Sequence, residues 1–389
     1  MKQSPAALRI ALVASSLNRA GAEKQFVYLA RALRTPEVDA TVFYLSDGGF
    51  YEDVLRREQV PICKISYPGR PFKILFKLTK ALWALKPHIV LAGQFCDICH
   101  AALAGRFHRT LTVGGIRSDG LWEVGTNGWR SGPMLHLPHA LITNSLKARS
   151  NLTTLGLNPD RLFLLQNVID LKDFDARNAE PHGVSIPQQR FIALAAGRLH
   201  PDKRFERFLK ALALAHQKVP ELFGVLAGKD DGAKAHLVGT AQELGLLPNH
   251  LLFAGECANL PALLARANLL LLSSDSEGVP NVVLEAMAAR LPVITTPAGD
   301  APHLVQHGKS GLVVDFNDIA GMAQAMVDLA NSPGLRFAMG EAGRKRVESE
   351  YEFNSLKTRA VRLFQSIAEK RRNKPLLRAI RALAPDGIT

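Results

Sequence analysis

The sequence predicts an α/β chain built as two Rossmann-like domains, each a parallel sheet with helices on both faces. Three observations carry this. Apolar runs of strand length recur through the 389 residues and alternate with stretches of helical apolar spacing. The runs lack in/out alternation, as expected of strands buried on both faces. A polar stretch from Asp173 to Gln189, with Pro181, Gly183 and Pro187, breaks the series once near its middle and reads as an interdomain linker.

The elements follow in order. Leu8–Ala14 is the first strand. Lys2 and Arg9 ahead of Ile10–Leu17 also resemble a secretory signal. The strand is preferred, because Asn18–Gly21 reads as a turn and Glu23–Leu33 then sets Phe26, Leu29, Ala30 and Leu33 at helical spacing. Val38–Leu45, Ile62–Ile65, His88–Ala92, Leu111–Val113, Ala140–Thr143 and Leu162–Leu165 read as further strands. Tyr51–Arg57, Lys73–Leu85 and Ile98–Phe107 read as helices between them, with another between the last two strands. After the linker the strands are Phe191–Ala196, Leu222–Ala227, His250–Phe253, Leu269–Leu272, Pro292–Thr295 and Gly311–Val314. Helices Phe205–His216 and Ala233–Leu244 alternate with them, and helix continues to about Lys370. Repeated strand–helix units make parallel sheets, and ligands of such sheets bind at the carboxyl ends of the strands.

Composition narrows the function. Lys and Arg outnumber Asp and Glu 48 to 35, a net charge of +13, which calls for an anionic partner. Residues 1–150 hold 20 of the basic and 10 of the acidic residues. Four cysteines exclude a disulfide scaffold and fit a reducing, cytoplasmic compartment. No apolar run approaches the roughly 18–20 residues that cross a bilayer. Cys96-Asp97-Ile98-Cys99-His100 spells a haem-attachment pattern, yet the expected reading is two thiols at the start of a helix. There is no convincing Asp-x-Asp metal motif or histidine cluster, so neither a metal nor another cofactor is expected.

Three loops could carry chemistry. In Ser273 to Met287 a buried strand ends in a loop holding Glu277 and Gly278, and a helix starts near Pro280 with Glu285 in its second turn. The free N–H groups of such a helix start make an anion site. In Ala196 to Lys203 two cations five residues apart, Arg198 and Lys203, suit a diphosphate, one as a planar fork and one as a point charge. In Asn18 to Glu23, Gly21 would let the backbone approach a phosphate or sugar, without the G-x-G-x-x-G pattern of nicotinamide sites.

These loops, with Thr143-Asn144-Ser145, Gln166-Asn167-Val168-Ile169-Asp170, Pro292-Val293-Ile294 and Gly308 to Val313 in this order, resemble the family 4 glycosyltransferases. The resemblance covers nearly the whole chain, and its core is E-x7-E at Glu277 and Glu285. It implies the GT-B fold, two Rossmann-like domains facing a cleft. Residues 1–180 would bind the acceptor and 181–353 the nucleotide-sugar. Residues 354–389 would be a helix packing back toward the first domain plus a basic tail. Arg198 and Lys203 would hold the donor diphosphate and Glu285 the ribose. Glu277 would contact the transferred sugar, and the backbone around Gly278, Val279, Asn281 and Val282 the diphosphate, with Gly21 opposite. Where many members carry a histidine after the fourth strand this chain has Asp97, with His100 one turn on; either would face the acceptor. His303 stands where the family has a glutamate.

The expected activity is therefore retaining transfer of a sugar, with a UDP-sugar as first choice, to a hydroxyl of a glycan or lipid-linked glycan in bacterial surface polysaccharide synthesis. The rivals are a nucleotide-sugar epimerase of the same architecture and a non-catalytic nucleotide-sugar-binding scaffold. Lys73, Lys77 and Lys80 share one helical face, with Phe72, Leu75, Phe76, Leu82 and Trp83 on another side; that helix and the tail from Lys370 to Leu383 read as surfaces for an anionic membrane. They predict peripheral attachment to the inner face of the cytoplasmic membrane. No nucleic-acid-binding module is recognised.

Overall fold

The computed structural model describes residues 8–383. Lys2, part of the secretory-signal reading, and the last residues of the basic tail lie outside them. The chain forms two compact units, 1–168 with 353–389, and 169–352.

The first unit holds a seven-stranded sheet in the order β3-β2-β1-β4-β5-β6-β7. Its strands are β1 Leu8–Ala14, β2 Val38–Tyr44, β3 Ile62–Lys64, β4 Ile89–Ala92, β5 Leu111–Ile116, β6 Ala140–Thr143 and β7 Leu162–Leu164. All neighbours run parallel. Along β1 the period of two decides the packing. Ile10 and Leu12 join Phe26, Leu29 and Phe364 on one face, while Ala11 and Val13 join Leu78, Leu82 and Ile98 on the other. Helix Leu356–Lys370 belongs to this unit, and Phe353 packs edge-on against Tyr28 at 5.5 Å.

The second unit holds six parallel strands in the order β10-β9-β8-β11-β12-β13. They are β8 Phe191–Ala196, β9 Leu222–Ala227, β10 Leu251–Gly255, β11 Leu269–Leu272, β12 Val293–Thr295 and β13 Gly311–Val313. Again Ile192 and Leu194 face one core and Ala193 and Ala195 the other.

The start of the expected linker is a correction. Leu171–Asn178 is a helix, capped by Asp170, whose side chain accepts from the Asp173 N–H. Leu171 and Phe174 are buried in the second unit's core. Asp175 takes a two-pronged contact from the buried Arg344, at 2.7 and 2.8 Å. The break between units therefore falls at 168/169 rather than 180/181. Only two apolar residues anchor this helix, too few for periodicity to reveal it.

Candidate functional site

The second unit places its polar loops at the carboxyl ends of β8, β9, β11 and β12. After β8 the chain passes Gly197 and Arg198, and the Leu199 N–H reaches Lys229 O at 2.8 Å across to the loop after β9. A side chain on Gly228 would meet Gly197 O at 1.7 Å, so the two backbones touch where only glycine fits. Arg198 is exposed and reaches Asp231 at 2.5 Å. Pro201–Lys203 is a single 3-10 turn, and Arg204 in left-handed backbone (φ 49°) redirects the chain into helix Phe205–His216.

The loop after β11 is stapled to that turn. Ser273 Oγ donates to Lys203 O at 2.8 Å, and the Asp275 N–H to Asp202 O at 3.0 Å. The Asp275 carboxylate is held by Arg204 and, at 2.6 Å, by Arg207. Burial alone would raise this carboxyl, but the two guanidiniums outweigh it and hold it below its usual value. Inside the staple, Lys203 Nζ lies 2.6 Å from Glu277 Oε1, which also accepts from Ser274 Oγ at 2.8 Å. The loop after β12 closes the third side: Thr296 Oγ1 donates to Ser274 O at 2.7 Å, and the Asp300 N–H to Gly278 O at 2.9 Å.

Helix Asn281–Ala288 follows from Pro280 in extended backbone. Val283, Leu284 and Met287 are buried in the core, and Glu285 among them is only 9% exposed. A carboxylate is rarely kept that dry unless it has a polar role. Gly278 and Val279 are buried at the helix start, while Asn281 and Val282 are half-buried in its first turn. That end of the helix carries the partial positive charge of its dipole. The structure thus brings Arg198, Lys203, Glu277 and Gly278 together at one end of the sheet, with Glu285 in the helix that leaves it. His303 is exposed on the short helix Ala301–Leu304.

The remaining candidates belong to the first unit. Gly21 is exposed at the start of helix Gly21–Ala32. Asp97 is fully buried. It accepts from Ser15 Oγ, after β1, and from the Gln94 N–H at 2.9 Å, after β4. Its side chain is therefore spent tying two strand ends together rather than facing outward. His100 is half-buried near the start of helix Ile98–Phe107, its pKa lowered by burial. Cys96 and Cys99 are free thiols. Among the described residues no cluster of three His, Cys, Asp or Glu side chains is placed to hold a metal.

Burial pushes the Asp97 carboxyl up to about 7, against the hydrogen bonds that favour its charge. Folded chains then hold a proton that unfolded chains release near 3.8. Asp97 thus favours the fold most at acid pH, and this contribution is lost as pH rises through about 7. Asp97→Asn cannot ionise. Its melting temperature relative to wild type should climb from pH 5.5 to about 7 and level off above that, and an unchanged difference between pH 5.5 and 7 would contradict the assignment.

Sequence reasoning missed the partners. Asp231, Ser274, Asp275 and Arg204 stand out only as polar loop residues and Arg207 as a polar residue of a helix's first turn, because their pairings cross between segments. Arg117, after β5, was also missed; its Nε donates to Gly93 O at 3.1 Å, and burial lowers its pKa to about 10.

Two family profiles divide the chain between them: "Glycosyltransferase Family 4" matches residues 19–173 and "Glycosyl transferases group 1" residues 177–346. The N-acetyl-alpha-D-glucosaminyl L-malate synthase of Bacillus anthracis is 31% identical, over 82% of this chain and 78% of its own. The capsular polysaccharide biosynthesis glycosyltransferase CapM of Staphylococcus aureus is 26% identical over 55% of each chain. Across most of the similar curated proteins the chain spans about half their length. Among solved structures, Anabaena HepE in complex with UDP-glucose superposes with a TM-score of 0.77 at 20% identity, covering 94% of this chain and 99% of HepE. WaaG, a glycosyltransferase involved in lipopolysaccharide biosynthesis, superposes with 0.66 at 16% identity, covering 90% and 98%.

Proposed function

The chain belongs to the family 4 glycosyltransferases, and from that premise we propose that it transfers a sugar from a UDP-sugar to a hydroxyl of a glycan or lipid-linked glycan, with retention of configuration. The observation that carries this is the stapled pair of loops holding Arg198, Lys203 and Glu277 beside the start of the Glu285 helix. A departing nucleoside diphosphate gathers negative charge in the transition state. Fixed cations and a helix start stabilise that charge without reorganising. Arg198 and Lys203 take the diphosphate, Glu285 the ribose hydroxyls and Glu277 a hydroxyl of the transferred sugar. The first unit binds the acceptor. The acceptor attacks the face the leaving group departs from. The test is the anomeric configuration of the product by NMR: retention supports the reading, and inversion, or donor turnover without an acceptor, contradicts it.

The reading extends to the inner surface of a membrane. No helix among the described residues is long and apolar enough to cross one. Helix Pro71–Leu85 buries Leu78 and Leu82 but leaves Phe72 86% and Trp83 70% exposed, with Phe76 exposed between them. The sequence expectation set these aromatics apart from Lys73, Lys77 and Lys80; instead they share the exposed side with them. Aromatic rings among lysines suit the boundary of an anionic bilayer. Phe76→Ser/Trp83→Ser should lose most of its flotation with phosphatidylglycerol vesicles; flotation equal to wild type would remove this surface from the account.

A further inference from the structure

The first unit carries a basic pocket at the end of its sheet opposite the strands' carboxyl ends. A cavity of about 490 Å³ is lined by Arg109, His139, Arg371, Arg372 and Lys374. Arg109 lies just before β5 and His139 just before β6, so the pocket sits at the amino ends of these parallel strands. The six residues of β5 put roughly 20 Å between it and the loops that follow.

Several cations converge here with little acid to balance them. Arg106 donates to Leu137 O at 2.8 Å, and Arg161 to Leu135 O, His136 O and Pro138 O at 3.2, 3.2 and 2.6 Å. Arg371 donates to His139 O. All three guanidiniums are thus held by backbone carbonyls. The nearby carboxylate, Asp160, is itself 2.5 Å from Lys370. The crowding is felt: burial first, then Arg371 and Arg106, lower the Arg161 pKa. His139 is lowered by burial and by Arg106, Arg371 and Arg161, and its Nδ1 accepts from the Thr112 N–H at 3.1 Å. Arg109 and Arg372 stand in left-handed backbone, φ 53° and 50°, where an arginine is held at a cost. Like charges gathered in a concave site are relieved by an anion, and arginine forks match the oxygens of a phosphate.

We propose that this pocket is an anion site that binds a phosphate group through Arg109, Arg371, Arg372 and Lys374. The phosphate comes either from a soluble phosphorylated compound or from the headgroup of an acidic lipid. The second source fits the surroundings, because Trp83 packs edge-on against His108 at 5.7 Å, one residue from Arg109, and Phe107, next to His108 in the chain, is exposed. The site stands on its own residues and does not depend on the sugar-transfer reading.

The test titrates inorganic phosphate into the full chain by calorimetry, at ionic strength held constant with chloride. Arg109→Ala/Arg371→Ala and the milder Arg372→Gln/Lys374→Gln, whose side chains are exposed, are compared with wild type and with Lys203→Ala. Both double variants should weaken at least tenfold a phosphate-binding event that Lys203→Ala retains. In parallel, flotation compares vesicles carrying phosphatidic acid, a phosphomonoester, with vesicles carrying equal phosphatidylglycerol. A preference for phosphatidic acid that both double variants lose identifies a lipid headgroup. Weakened phosphate binding without that preference identifies a soluble phosphate. Phosphate binding equal in wild type and double variants, lost in Lys203→Ala instead, or absent from wild type together with any phosphatidic acid preference, overturns the site.

Discussion

Lys203→Ala is expected to lower kcat/KM for the donor by about 100- to 1,000-fold, the usual effect of removing one fixed group aimed at developing charge. Lys203 is the mostly buried cation of the site, its side chain 22% exposed and 2.6 Å from Glu277. A charge held in that setting acts on the leaving diphosphate with little screening. The same change leaves Glu277 with the Ser274 hydroxyl in place of a cation, so contact with the transferred sugar is disturbed as well. Arg198→Ala should be milder, about tenfold, because Arg198 is exposed and already engaged by Asp231. Steady-state kinetics of UDP release measure both. Equal losses, or a loss below threefold at Lys203, would mean the diphosphate is held elsewhere.

Gly299→Ala should remove the site through the backbone rather than through charge. Gly299 has φ +54°, and a Cβ there would lie 2.1 Å from Glu277 O and 2.5 Å from Gly278 O. Neither carbonyl can retreat cheaply. The loop that holds Glu277 is fixed by Ser274 Oγ, by Asp275 and by the Asp300 N–H on Gly278 O at 2.9 Å. Left-handed backbone costs an alanine about 1 kcal/mol, and the clash with two carbonyls brings the total to about 3 kcal/mol or more. Chemical unfolding should show that loss together with absent turnover. Full activity with unchanged stability would show that the loops after β11 and β12 are not in contact.

The layered fold was legible because burial on both faces leaves a plain mark: uninterrupted apolar runs such as Leu269–Leu272, separated by amphipathic helices. Each strand of both sheets lies within three residues of its reading. The largest difference, at β5, has a physical source. The pair Gly114-Gly115 carries no apolar side chain to mark it as strand, yet it continues β5, and glycine is needed there because a Cβ on Gly115 would meet Gly93 O at 2.5 Å. Asp173–Asn178 reads as linker because the short helix it belongs to, with two apolar anchors, leaves no periodic trace. The family motif points to Arg198, Lys203, Glu277 and Glu285 by residue type and spacing. What spacing does not carry is pairing: that Lys203 meets Glu277, that Arg204 and Arg207 share Asp275, and that Asp97 is turned inward to Ser15. Those contacts join segments about 70 to 80 residues apart and exist only once the sheets have formed.

The second unit is expected to bind a nucleoside diphosphate through Lys203 and Glu285 without a metal. The most direct test is thermal stabilisation of the purified chain by UDP, GDP, ADP and CMP, each with and without EDTA, alongside Lys203→Ala and Glu285→Ala. The account predicts that UDP raises the melting temperature of wild type, that EDTA leaves the shift intact, and that both variants lose it. No shift with any nucleotide, or a shift that survives in both variants, would contradict it.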